Sequence, residues 1–178
     1  MTPQDDRLEL LRLAREAVVA HVTGWPAPAP SDSPALDRPG AVFVTLHHRG
    51  ELRGCIGHLD HHEPLGRVIV RCAIGACSTD PRFPPVAPFE LEQLHVELSI
   101  LGPLEAIAGP GDIEIGRHGL VVELLPRRGL LLPQVAVEWK WDAETFLAYT
   151  CRKAGLPRDA WRNGAGLWRF EAEVFGEP

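Results

Sequence analysis

No two of the four cysteines in this 178-residue chain (Cys55, Cys72, Cys77, Cys151) have the C-x-x-C spacing. The usual structural zinc and dithiol redox signatures are therefore missing. No apolar run approaches the roughly 20 residues that a membrane span needs. The first residues, through Asp6, are acidic and polar, without a basic stretch leading into an apolar one, so no signal peptide is expected. A cytoplasmic protein with free thiols follows, with no membrane partner. Net positive charge is lacking too: the formal charge of -6 argues against nucleic acid, whose binders carry a basic footprint. There is no Walker-type phosphate loop, GxGxxG, HExxH or GxSxG, which removes nucleotide hydrolases, dinucleotide enzymes, zinc proteases and serine hydrolases. Internal repeats and long single-sign charge runs are absent.

What is present is an ordinary globular composition, 45% hydrophobic and 24% charged, enough for one domain or two small, tightly joined ones. Thr2, Pro3 and the acids Asp5 and Asp6 predict an N-cap and first turn, with Leu8, Leu11, Ala14, Val18 and Val22 as the apolar stripe. Gly24 and Pro26 end that helix, and residues 24–40 read as a Pro-rich surface connection without regular structure. Ala41 to His47 is β-branched and apolar, with His48-Arg49-Gly50-Glu51 as its turn into a second strand. A buried helix opens at Pro64 and runs to Ser78. Val96, Leu98 and Ile100 alternate with polar residues as a strand, and further strands are expected within 113–125 and 130–133. Pro126 to Gly129 reads as the turn between them. Asp142 caps a helix with Phe146, Leu147, Cys151 and Ala154 inward, and Trp168 to Val174 alternates as the last strand. Strands dominate without a βαβ rhythm. That predicts a mixed α/β (α+β) fold, with a mostly antiparallel or mixed sheet and flanking helices.

The stretch Leu52-Arg53-Gly54-Cys55-Ile56-Gly57 stands out, because arginine and two glycines are unusual inside a core strand. If His47 pairs with Leu52, one face carries Val42, Val44, Leu46, Arg53 and Cys55. The other carries Phe43, Thr45, Ile56 and His58. Arg53 beside Cys55 would favour the thiolate, the nucleophilic form, and Gly54 and Gly57 would let a ligand approach the backbone. The competing reading of Cys55 is a small buried hydrophobe. Arg53 is read either as an anion-binding fork or as a structural ion pair to an acid such as Asp80. His47, His48, His58, His61 and His62, with Asp60 nearby, invite a metal reading, but no zinc-like spacing supports it and no metal or cofactor is assigned. Asp80 and Arg82 sit in a loop stiffened by Pro81, Pro84 and Pro85. His118 lies between Gly116 and Gly119, and Gln134 beside an apolar strand; either side chain is suited to a ligand or to a local structural bond.

LRGCIG at 52–57, DPRF at 80–83, GRHGL at 116–120, GLLLPQVA at 129–136 and WDAETFL…CRKAGLP over 141–157 occur together and in order. The chain thereby resembles the AMMECR domain family, whose bacterial and archaeal members are called AmmeMemoRadiSam system protein A. The resemblance implies a single AMMECR-type domain over 1–178, compact, with a larger and a smaller subdomain. It also implies Memo-type and radical SAM proteins as company. His58 departs from the small polar residue expected after the core motif, so any role for it belongs to this chain alone.

The leading functional expectation is an accessory or ligand-binding domain whose LRGCIG hairpin lines a cleft for a small anionic ligand or a partner segment. Arg53, Gly54, Gly57, Arg82, His118 and Gln134 are the candidate binding residues. The second is a thiol-dependent enzyme or covalent carrier using Cys55 with help from His58 or Asp80. The third is a metal-binding protein using the local histidines.

Overall fold

A computed structural model describes residues 2–59 and 61–178. The chain divides into a larger unit, Met1–Leu101 with Glu173–Pro178, and a smaller one, Gly102–Ala172. The fold is mixed α/β, and the strand pairs Ala41–His48 with Glu51–His58, Ala41–His48 with Leu94–Leu101, Glu105–Ala106 with Gly166–Gly176, His118–Leu124 with Arg127–Leu131 and His118–Leu124 with Gly166–Gly176 are antiparallel. Among the described residues, no helix is long and apolar enough to cross a membrane.

In the larger unit the first helix, α1, runs over Gln4–Thr23 and ends at Gly24, whose φ of 78° is the left-handed conformation that glycine adopts without strain. The helix starts later than Thr2 predicts. Pro3 occupies the cap position, and Thr2 instead gives its N–H and hydroxyl to the Glu173 carboxylate at 2.8–3.0 Å. The buried stripe is Leu10, Leu11, Leu13, Ala14, Ala17 and Val18, while Leu8 is 55% exposed. Leu8 stands roughly 120° around the helix from Ala14, outside the arc that reaches the core.

The Pro-rich connection is not wholly irregular. A short helix, α2, covers Pro34–Asp37 and buries Ala35 and Leu36, with Ser33 as its N-cap. Four residues are too few to show a helical period, so sequence patterning misses it.

Strands β1 (Ala41–His48) and β2 (Glu51–His58) form the expected hairpin. Arg49 and Gly50 both take positive φ, 54° and 84°, as a two-residue hairpin turn with right-handed twist requires. His47 does pair with Leu52, but Leu46 then pairs with Gly54, leaving Arg53 as an extra residue. This β-bulge reverses the expected faces, since a one-residue slip moves every later side chain to the other side. Cys55 therefore lies opposite Thr45, and Ile56 opposite Val44.

Helix α3 (Leu65–Ser78) follows. Strand β3 (Leu94–Leu101) pairs along β1, and the C-terminal end of the last strand lies on its far side. α1 and α3 pack against Val42, Val44, Leu46, Val96 and Leu98 to make the core. Cys72 and Cys77 are buried in it as thiols pushed up to about 11 by burial.

The smaller unit holds β4 (Glu105–Ala106), β5 (His118–Leu124), β6 (Arg127–Leu131), α4 (Pro133–Glu138), α5 (Ala143–Lys153) and most of β7 (Gly166–Gly176). β6 begins at Arg127, so the link from β5 is Leu125-Pro126 alone, shorter than the expected 126–129 turn. Asp142 caps α5 as predicted, accepting from the Thr145 N–H at 2.8 Å. Leu120, Val122, Phe146, Leu147, Cys151 and Leu167 form this unit's core. In β7, Phe170 is inward as expected, but Val174 is 44% exposed and Phe175 joins the larger unit's core instead.

Gly54 explains the glycine beside the bulge. A Cβ there would lie 2.1 Å from the carbonyl oxygen of Ala76 on α3. Gly54→Ala should lower stability by about 1–3 kcal/mol in urea titration. Gly109→Ala, at an extended position with open space around it, should change it by less than about 0.5 kcal/mol.

Candidate functional site

β2 is the edge strand of the larger unit, and among the described residues its outward peptide groups have no strand to pair with. At Cys55 two side chains fill that role. The Cys55 N–H donates to Asp80 Oδ2 at 2.9 Å, and the Cys55 carbonyl accepts from Arg82 Nη2 at 3.4 Å. Asp80 holds Arg82 in turn: Oδ1 accepts from the Arg82 N–H and Nε, both at 3.0 Å, and Oδ2 from Nη2 at 2.7 Å. Asp80 is buried, whereas the Arg82 side chain is 51% exposed. The Arg82 hydrogen bonds, supported by those backbone N–H groups, hold the Asp80 carboxyl far below the usual carboxylate range, outweighing its burial.

The Cys55 thiol accepts a hydrogen bond from Thr45 Oγ1 at 3.3 Å. Burial raises its pKa above that of a free thiol and outweighs the opposing effects of Thr45 and the Arg82 charge. It is thus held as a thiol, not a thiolate. By register the same face carries Glu97, opposite Thr45 on β3, and Ser99, opposite Phe43. Ser99 Oγ is buried and has no hydrogen-bond partner among the described residues. His47, also on this face, has Nε2 3.9 Å from Glu97.

Arg53 is not part of this group. The bulge sends it to Glu90, with Nε to Oε1 at 2.8 Å and Nη2 to Oε2 at 3.0 Å, while its Nη groups also bond the carbonyls of Pro84 and Pro85. Its ion pair is structural, and the acid is Glu90 rather than Asp80. Glu90 also accepts from the Ala87 N–H at 2.8 Å, closing the 3₁₀ turn Pro88–Gln93. The cation beside the thiol is Arg82.

The glycines are filled by the protein itself. Gly54 faces Ala76, and a Cβ on Gly57 would lie 2.3 Å from the ring of Phe43. His58 pairs with Val42, on the opposite face from Cys55, with Nε2 3.5 Å from Glu63. No base therefore reaches the thiol from His58, and Asp80 is committed to Arg82 and the Cys55 N–H. Among the described residues, no three His, Cys, Asp or Glu side chains converge to hold a metal; Asp60 lies outside them. His118 and Gln134 belong to the smaller unit. His118 is buried at the start of β5, its Nδ1 accepting from the Glu114 N–H at 2.9 Å, and Gln134 is half-buried on α4.

Thr45, Glu90, Glu97 and Ser99 escaped sequence reasoning. Pro88 at the first position of a turn with Glu90 two residues on was a readable capping signal for Glu90. Thr45 and Ser99 carried none beyond a hydroxyl in an apolar strand.

These features define an antiparallel α/β protein with a cysteine clamped on an edge strand. The AMMECR1 family model matches residues 11–175. A protein of Methanothermobacter thermautotrophicus is 45% identical over 183 aligned residues, covering 98% of this chain and 95% of its own. Protein TK0174 of Thermococcus kodakarensis is 46% identical, covering 94% and 88%. The crystal structure of uncharacterized protein PH0010 from Pyrococcus horikoshii superposes with a TM-score of 0.87 at 45% identity, covering 94% and 89%. The chain belongs to the AMMECR1 family.

Asp80→Asn should destabilise the protein by about 1.5–3 kcal/mol at pH 7. Because the folded carboxyl titrates below the unfolded one, its contribution is present above about pH 4 and is lost as pH falls through the folded value. The gap between wild type and Asp80→Asn, read from thermal melts, should therefore narrow as pH drops toward about 2.5.

Proposed function

We propose that the chain is an accessory binding domain that works with Memo-type and radical SAM proteins and presents the Cys55 edge of β2 to a small anionic ligand or a partner segment. One observation carries this reading. The outward N–H and carbonyl of Cys55 are held by Asp80 and Arg82, while its thiol is kept protonated and bonded to Thr45. That arrangement fixes the shape and polarity of a surface, and supplies neither a thiolate nor a base. Arg82, half-exposed at the strand edge, is the positive group an anion would meet, in the role the sequence suggested for Arg53. Its charge is shared with Asp80, which suits selective contact better than tight capture.

The test is calorimetric titration of the purified chain against the radical SAM and Memo-type proteins of the same organism. At least one should bind, Arg82→Glu should weaken binding about tenfold or more, and Cys55→Ser should stay within about threefold of wild type. Failure of both proteins to bind would remove the partner assignment. Loss of binding in Cys55→Ser, with folding intact, would move the reading to covalent chemistry at the thiol.

Alkylation provides an independent check. With its pKa raised, Cys55 should react more slowly than a free cysteine at neutral pH, and its rate should go on rising with pH past the point where a free thiol levels off. Buried Cys72, Cys77 and Cys151 should stay protected until the protein unfolds, as read by peptide mass spectrometry. Fast alkylation of Cys55 at pH 7 would sink the protected-thiol picture and favour the enzyme reading.

A further inference from the structure

The smaller unit contains a cavity of about 360 Å³ lined by Glu105, Glu114, Arg117, His118, Arg169 and Glu171 among others. Strand register assembles most of it. His118 pairs with Glu171, and Arg169 lies two residues before Glu171 on β7 and opposite Glu105 on β4, so these four share a face. The volume is at the small end of ligand pockets, fitting a molecule of amino-acid size.

His118 is 7% exposed and lines the cavity. Its Nδ1 accepts from the Glu114 N–H, which puts the ring proton on Nε2. Among the described residues nothing accepts from that Nε2–H. Burial, then the charges of Arg169 and Arg117, lower the imidazole pKa, so the ring is a neutral donor.

The charged groups around it are paired, but loosely. Arg117 bonds Glu171 at 2.7 Å and Glu114 at 3.2 Å, and Arg169 bonds Glu105 at 2.9 Å and the Asp112 carbonyl at 2.6 Å. The Glu105, Glu114 and Glu171 side chains are 60%, 64% and 60% exposed. Pairs that wet contribute little and exchange readily for a ligand group. Two guanidiniums and three carboxylates repel a plain dianion and offer a plain cation two like charges. A molecule carrying both signs meets a partner for each.

We infer that this cavity binds a small zwitterion of the free amino acid type, its carboxylate on His118 Nε2–H and the Arg169 fork and its ammonium on the freed glutamates. The site uses no residue of the larger unit, and its success or failure is separable from the reading of the Cys55 edge.

The probes are individual free L-amino acids, with acetate and methylammonium as single-charge controls. Each is titrated into the full chain and followed by long-range proton–nitrogen NMR of the histidine rings and by calorimetry. At least one amino acid should shift the His118 ring signals saturably with a Kd below about 1 mM. Acetate and methylammonium should each bind at least tenfold more weakly. Arg169→Gln should weaken amino-acid binding at least tenfold. Glu105→Gln, which removes the carboxylate that Arg169 releases to the ammonium, should likewise weaken binding and serves if Arg169→Gln fails to fold. The proposal is overturned if no amino acid moves His118 at 10 mM, on the order of tenfold above the expected Kd. It is equally overturned if acetate binds as well as the amino acids, or if neither variant changes affinity.

Discussion

The ion pair between Arg53 and Glu90 is the contact on which the arrangement of the larger unit turns. Both side chains are nearly out of water, 13% and 11% exposed, and each satisfies further backbone groups. Two desolvated charges hold together because all three nitrogens of the fork donate to an acceptor, and removing one partner would strand the other. The pair also settles where the extra residue of β2 goes. Drawn toward Pro84, Pro85 and Glu90, Arg53 leaves the ladder, and everything after it in the strand is turned over.

That reversal puts Cys55 on the polar face with Thr45 and Glu97, and Ile56 on the helix-facing side among the core residues. The loop that Arg53 ties down is continuous with the one carrying Asp80 and Arg82, which then close on the Cys55 backbone. A strand edge that would otherwise invite pairing with another chain is thereby blunted by a carboxylate and a guanidinium. The same economy recurs elsewhere. Glu173 gathers Thr2 and Arg7, and Arg15 reaches Glu177, so that charged groups fasten the two ends of the chain to the larger unit.

Much of the fold was legible because it is written locally. The Arg49-Gly50 turn, Gly24 after α1, Asp142 before α5 and the continuous apolar character of α3 each reflect a backbone preference or a period within a few residues. The errors have equally local causes. α2 is shorter than a helical period, Leu8 looks apolar but sits off the buried arc, and Thr2 is diverted from capping by a carboxylate 171 residues away.

Sequence alone therefore determined the element types, the hairpin turn, the buried cysteines and, through a set of phrases in order, the family. Tertiary structure decided which side chains meet. Whether Cys55 faces the helices or the polar row depends on one unpaired residue, and nothing in the alternation of β2 encodes a bulge. Arg53 could be seen to need an acid, but choosing Glu90 over Asp80 required the loop between them to be folded. Side-chain partners are set by register and loop geometry, long-range quantities to which a local pattern is blind.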